Sequence, residues 1–390
     1  MSDPLRLGWL PLNDAAPLIV ARELGFAAEE GLALDLVRVR SWAQSRDCLG
    51  SGAIDAAHML VPMPIAQTLC LGPDYPAFDL LMVLAQGGQA IAVSRALEAR
   101  LRDLGHPFDF RDPVAARDAL ARAHPGALRV GVPFPFSTQA ELVHHWLAGT
   151  PLAARLAVRT VPPPQMADAL AADEVDAYCV GDPWASVAVE RGVGALLLAG
   201  RSIWAAPPEK GLVMTRARAQ GDPDRTGRLM RALWRAGRWL DRPDNRGTAA
   251  EILARPEYLN LAPELCERGL LGRLHVTAAG DLRDFPDFIR FHDQGATFPW
   301  RSIAAMLGGR LAARHGLETG PAMARAAGCF RTDLYRQHLR GTGADLPGAS
   351  SKVEGAMVAP TTVAAEQGRM ILGADAFFDG HRFDPAFADR

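Results

Sequence analysis

Lysine is nearly missing from this chain of 390 residues: among its 42 lysines and arginines, only Lys210 and Lys352 are lysines. Cysteine is scarce too. Cys48, Cys70, Cys179, Cys266 and Cys329 are odd in number, widely spaced and without a CxxC or a histidine partner, which argues against a disulfide framework and a zinc site. Most of them read as small buried hydrophobes. Net charge is close to absent at -2, with a pI near 6.6, so the basic face that a nucleic-acid backbone requires is not expected. Long apolar runs are lacking as well. The longest nearly uncharged stretch, 56–73, is interrupted by Pro62 and Pro64 and carries His58 and Gln67, so it does not read as a membrane span. The start, Met1-Ser2-Asp3-Pro4, has neither the basic residues nor the apolar run of a secretory signal, and the expectation is a soluble, cytoplasmic protein.

What is present is enough apolar sequence to fold well. With 49% hydrophobic and 22% charged residues the chain can bury sizeable cores, and its length exceeds what one core usually serves, which favours two domains. Short apolar runs alternate with helical periods over the first ninety residues, the pattern of an open, largely parallel α/β sheet. Strands are expected at 5–10, 34–39, 56–60 and 80–84. Asp14 is placed to cap a helix through Leu18, Ala21 and Leu24 that stops at Gly25, and Ser41 with Gln44 forms a capping box.

After Gln86-Gly87-Gly88-Gln89 the pattern changes and a domain crossing is expected. Further strands are predicted at 90–93, 128–132, 156–161 and 177–180. Thr138 and Glu141 form a second capping box, opening a helix with Leu142 and Trp146 on its apolar face. The chain then returns through 203–214 to the first domain. Residues 225–330 are mostly helical in pattern, and the tail is rich in glycine and proline.

A helix start carries unsatisfied N–H groups and positive partial charge, so the two capped turns after strands can line an anion site, although on this evidence alone ordinary helix capping accounts for them better. Lys210, in Pro207-Pro208-Glu209-Lys210-Gly211, is a retained lysine that a need for a compact point charge would explain, although on composition alone chance survival accounts for it better. His58 sits in an apolar run and reads as a core histidine; His144 and His145 have no metal partner at helical spacing. No HExxH, GxSxG, Walker loop or strand-borne GxGxxG is present, so no enzyme signature is found.

Several segments occur together in an order that is itself informative: 10–17 (LPLNDAAP), Ser41-Trp42-Ala43, 55–64 (DAAHMLVPMP), Gly88-Gln89-Ala90-Ile91, Pro162-Pro163-Pro164-Gln165-Met166, Cys179-Val180-Gly181-Asp182-Pro183-Trp184 and Pro208-Glu209-Lys210, with 330–336 and 377–380 near the end. In this the chain resembles the nitrate- and bicarbonate-binding proteins of ABC transporters over nearly its whole length. Its abrupt start makes it similar, among these, to cytoplasmic nitrate and nitrite sensors of NasS type, which hold the RNA-binding antiterminator NasT until the anion arrives.

The resemblance implies a two-lobed, periplasmic-binding-protein-like type II α/β fold with the ligand cleft between the lobes. Lobe 1 would comprise residues 1–88 and 195–390, including a helical C-terminal extension, and lobe 2 residues 89–194. It also implies nitrate or nitrite as ligand, NasT as partner, and no cofactor, metal, catalysis, membrane contact or direct nucleic-acid contact. Ligand-binding positions carried over from the family are Trp42, Ala43, Gln89, Thr138, Gln139, Gly181, Asp182 and Lys210. Gln139 stands where the family's nitrate binders place histidine, and a glutamine donates a hydrogen bond without adding charge. One competing reading is the transporter's own solute-binding component, with a signal peptide upstream. The other is an enzyme of the same fold, like the pyrimidine synthases of thiamine biosynthesis, for which only His58, His144 and His145 offer chemistry.

Overall fold

Two sheets divide the chain, as seen in a computed structural model that describes residues 3–387. The strands are β1 (Leu5–Trp9), β2 (Leu34–Arg38), β3 (Ala56–Leu60), β4 (Phe78–Gly87), β5 (Gln89–Ser94), β6 (Leu128–Val132), β7 (Leu156–Thr160), β8 (Ala177–Gly181), β9 (Gly194–Ala199), β10 (Pro208–Thr215), β11 (Arg273–His275), β12 (Leu282–Asp284), β13 (Ile289–Arg290), β14 (Thr361–Ala364) and β15 (Arg369–Leu372). The first sheet runs β13-β4-β10-β3-β1-β2 and the second β7-β6-β8-β5-β9; β11-β12 and β14-β15 are hairpins. The fold is the two-lobed, mixed α/β fold of periplasmic binding proteins.

Parallel pairs join β1 with β2 and β3 in the first sheet, and β6 with β7 and β8 in the second. The two strands that follow a crossing do not pair in parallel. β5 enters the second sheet antiparallel to β8 and β9, and β10 returns antiparallel to β3 and β4. Only Gly88 separates β4 from β5, and the glycines here are required by space: a Cβ on Gly87 would meet the Phe288 carbonyl oxygen at 2.4 Å, and one on Gly88 the Ile289 side chain at 2.8 Å. Both also have positive φ, +72° and +81°, which costs glycine least.

The strand Gly194–Ala199 was not among those expected. It is a continuous apolar run directly after a helix, and periodicity alone cannot separate such a run from buried helix. Residues 223–339 are mainly helical, as anticipated, and the helix Pro223–Leu240 packs on Ala16–Glu23 beneath the first sheet. The tail holds the hairpin β14-β15 and a segment in which Phe377 stacks on Trp204 with ring centroids 4.8 Å apart. Cys179, Cys266 and Cys329 are buried as expected, whereas Cys48 is half-buried and Cys70 exposed. No helix among the described residues is long and apolar enough to cross a membrane.

Three helix-capping expectations fare differently. Ser41 caps Trp42–Gly50 by accepting from the Gln44 N–H at 3.1 Å, and the Gln44 side chain reaches back to the Arg40 N–H at 2.7 Å. At the second box the cap is Ser137, which accepts from the Ala140 N–H; Thr138 is the first helical residue and Glu141 pairs with Arg314 instead. Asp14 lies in the 3-10 turn Asn13–Ala15 and caps nothing, because an ion pair across the molecule claims its carboxylate.

Candidate functional site

The lobes meet where the C-terminal ends of β3 and β8, the start of β10 and two helix starts converge. Lys210 follows Glu209 at the start of β10 and pairs in register with Leu60 of β3. Its side chain is completely buried. Its Nζ donates to Asp14 Oδ2 at 2.7 Å and to Glu209 Oε1 at 2.5 Å, and stands 5.1 Å from the centroid of the Trp42 ring. Glu209 Oε1 also accepts from Gln139 Nε2 at 2.5 Å, so a single carboxylate joins the strand of one sheet to the helix Thr138–Leu147 of the other.

Thr138 completes that junction by donating its hydroxyl to the Pro208 carbonyl at 2.6 Å. A second seam is formed by Asn13, whose backbone N–H donates to the Asp182 carbonyl and whose Nδ2 donates to Asp182 Oδ2, both at 2.9 Å. Trp184 adds an indole bond to the Pro11 carbonyl at 2.7 Å. Gly181 is small because it must be: a Cβ there would lie 2.7 Å from the Leu12 side chain and 3.4 Å from the Asp14 carboxylate.

Burial and charge set the protonation states. Burial works against the charge on Lys210, but Asp14 and Glu209 outweigh it and hold the ammonium above its ordinary value. Asp14 is likewise penalised by burial, yet Lys210 and then His58 keep it below the usual carboxylate range. Glu209 is the weaker acid: burial raises it, Lys210 offsets this only partly, and the Asp14 charge adds to the rise. Burial pushes Asp182 up to about 7. His58 is depressed by burial and held neutral despite its carboxylate neighbour.

The reading of His58 as an ordinary core histidine is corrected here. Its Nε2 lies 3.0 Å from Asp14 Oδ1, and its ring centroid is 6.0 Å from that of Trp42. Asp14, Glu209 and His58 are the residues that sequence reasoning missed at the site. The signal available for all three was their place inside the quoted motifs: Asp14 in 10–17, His58 in 55–64 and Glu209 in Pro208-Glu209-Lys210.

Of the residues singled out in the sequence, Trp42, Thr138, Gln139, Gly181 and Lys210 are brought together. Ala43 is the second residue of the Trp42 helix, half-buried, and contributes a first-turn N–H. Asp182 lines the seam but spends both carboxylate oxygens on Asn13 and Ser186. Gln89 pairs in register with Gly181, and its side chain packs on Gly200. Among the described residues, several buried polar atoms of this region have no protein partner: Trp42 Nε1, both amide atoms of Gln89, Gln139 Oε1, Glu209 Oε2 and His58 Nδ1. Buried polar groups are normally satisfied, so a concentration of orphans at a lobe junction marks a place built for a small polar ligand. His144 and His145 stand elsewhere; His145 contacts Phe377 and Asp379. No cluster of metal-ligating side chains is found among the described residues.

Two lobes closing around such a junction define a binding protein of the periplasmic type. The chain belongs to the NMT1-like family, whose model matches residues 2–254. It is similar to the nitrate/nitrite-binding protein NrtA of Nostoc sp., with 28% identity over 97% of this chain and 82% of that protein. It is also similar to the bicarbonate-binding protein CmpA of Synechococcus sp., with 27% identity over 98% and 84%. The crystal structure of the periplasmic nitrate-binding protein NrtA from Synechocystis superposes with a TM-score of 0.82 at 25% identity, covering 99% of this chain and 96% of that one.

Proposed function

We propose that the chain binds nitrate or nitrite between its lobes and acts as a cytoplasmic sensor, holding a NasT-type antiterminator and releasing it when the anion arrives. The observation that carries the binding half is the buried Lys210 ammonium, joined through Glu209 to the start of the helix Thr138–Leu147 and beside the Trp42 ring, whose indole N–H is unpartnered. Nitrate is planar with three acceptor oxygens, and an ammonium, an amide, an indole and first-turn N–H groups can satisfy it without a metal. The relatives named for nitrate, nitrite and bicarbonate support a small oxyanion, and they support binding without catalysis. The quoted motifs are those of the nitrate- and bicarbonate-binding proteins as a whole, and the sensor half is decided by the partner, NasT. A solute-binding component of a nitrate or bicarbonate ABC transporter is the second reading, and the names of NrtA and CmpA favour it.

Calorimetric titration with nitrate, nitrite, bicarbonate and chloride tests the binding half; heat from nitrate or nitrite but not chloride is expected. Gel filtration of the chain with NasT, with and without nitrate, tests the sensor half. Linkage requires nitrate to weaken that complex by the factor by which NasT weakens nitrate binding, and a tenfold effect corresponds to about 1.4 kcal/mol. A complex that never forms, or one indifferent to saturating nitrate, transfers the assignment to the transporter component.

A further inference from the structure

Three carboxylates and one ammonium are buried at the lobe junction, and that ratio opposes an anion. Asp14, Asp182 and Glu209 are each at most 3% exposed, against Lys210 alone. His58 is kept neutral by burial and contributes no charge. With Asp14 and Glu209 ionised against Lys210 one negative charge is uncompensated, and Asp182, raised to about 7 and facing Arg268, adds at most part of another, so a monovalent oxyanion arriving in a place with little water to screen it is unfavourable unless a proton comes with it.

The hydrogen bonds point to the carboxylate that takes it. Asp14 Oδ2 is engaged by Lys210. Both oxygens of Asp182 are engaged, by Ser186 and Asn13. Glu209 alone has one oxygen, Oε1, that accepts from Lys210 and Gln139, and another, Oε2, that is buried with no partner. As a carboxylate this oxygen can only accept, and it would confront another acceptor. As a carboxylic acid it donates.

We propose that Glu209 is the specificity-determining residue of the anion site: it is ionised before the ligand binds, takes up one proton from solvent when a monovalent oxyanion binds, and donates Oε2–H to the ligand. This rests on the anion-binding reading above. Every element packed against Glu209 is consistent with it. Lys210 on its own strand and Gln139 on the facing helix stabilise the carboxylate, which keeps it ionised until the ligand competes for both. Asp14 on the 3-10 turn repels it, the Cys179 thiol of β8 is kept protonated by burial, and His58 of β3 lies behind Asp14. Asp182, whose own shift is opposed by Arg268 and increased by Asp14, stands on the other side of Asp14's charge and bonds to Ser186 and Asn13. Burial, with Asp14 adding to it, already holds Glu209 above the ordinary carboxylate range, so the extra charge of a ligand need move it only part of the way.

The experiment is calorimetric titration of the full chain with sodium nitrate, in buffers of different ionisation enthalpy, from about pH 6 to about pH 9. The expected result is uptake of about one proton per nitrate and an affinity that weakens by up to about tenfold per pH unit in the alkaline range. Glu209→Gln should bind nitrate with no proton uptake and a flat pH profile. Difference infrared spectra of the wild-type chain on nitrate addition should gain the C=O stretch of a protonated carboxyl, a reading that does not depend on the variant folding. Nitrate binding by the wild type without proton uptake and with pH-independent affinity overturns the proposal. So does uptake that persists in a folded Glu209→Gln chain, especially if Asp182→Asn abolishes it. No binding of nitrate or nitrite at any pH overturns instead the anion reading beneath.

Discussion

Lys210 lies between Asp14 and Glu209 with the Trp42 ring 5.1 Å from its Nζ, and Lys352 lies between Glu354 and Asp375 with the Trp300 ring at 5.6 Å. The two settings are chemically alike, yet their surroundings are not. Around Lys352 the polar groups serve one another: Ser302 donates to Glu354 Oε1 at 2.5 Å and accepts from the Lys352 backbone N–H, and Asp375 Oδ1 accepts from the Met357 N–H at 2.8 Å. That cluster fastens the irregular C-terminal segment to the helix Arg301–His315. Around Lys210 the ion pairs are made but Trp42 Nε1, Gln139 Oε1 and Glu209 Oε2 are not satisfied. A saturated buried cluster holds a fold together. An unsaturated one between two lobes is arranged for something that arrives.

The comparison is broken most sharply by truncating each lysine. Lys352→Met strands two buried carboxylates and should cost about 3 to 5 kcal/mol of stability in a denaturant titration, with nitrate affinity unchanged. Lys210→Met should cost a similar amount, because Lys210 also neutralises Asp14, and should in addition remove about 2 to 5 kcal/mol of nitrate binding. Equal nitrate affinity in the two variants would erase the distinction.

A smaller effect separates the seam from both lysine centres. Asp182 is raised from 3.8 to about 7, so its contribution to stability is complete below about pH 4 and is lost as pH rises through about 7. Asp182→Asn should therefore flatten the fall in stability between those values, measured by denaturation at a series of pH values. A slope as steep as that of the wild type would place the loss on another group.

The smallest expected change tests the orphaned donors. Gln89→Ala should weaken nitrate binding by about 1.5 to 3 kcal/mol, the scale of a hydrogen bond to a charged group, and leave the Lys352 cluster and the melting temperature of the nitrate-free chain nearly unmoved. Unaltered affinity on titration would remove Gln89 from the site.

Local pattern made much of this legible. Strands 56–60 and 128–132 have the predicted ends, and the crossing at Gly87-Gly88 was marked by a change of pattern. What local pattern could not supply was long-range pairing. Asp14 sits where a helix cap belongs, but its partner is 196 residues away, and an ion pair with a buried lysine outweighs the bond a cap provides. Thr138 has the type and spacing of a cap, but Ser137 takes that role and frees the threonine hydroxyl for the other lobe. Lys210 was noticed for its rarity and read as serving the ligand alone, whereas it also holds two carboxylates in the protein. His58 shows the same limit, because an apolar run describes its strand and says nothing of the carboxylate opposite.

The claim that the Lys210 junction receives a small monovalent oxyanion is tested most directly by the melting temperature of the wild-type chain against nitrate concentration. A ligand bound by the folded state alone adds RT ln(1 + [L]/Kd), so the temperature should rise steadily with the logarithm of nitrate above Kd, with nitrite acting alike and sulfate without effect. A folded sample whose melting temperature does not move at millimolar nitrate, or moves equally with sulfate, contradicts it.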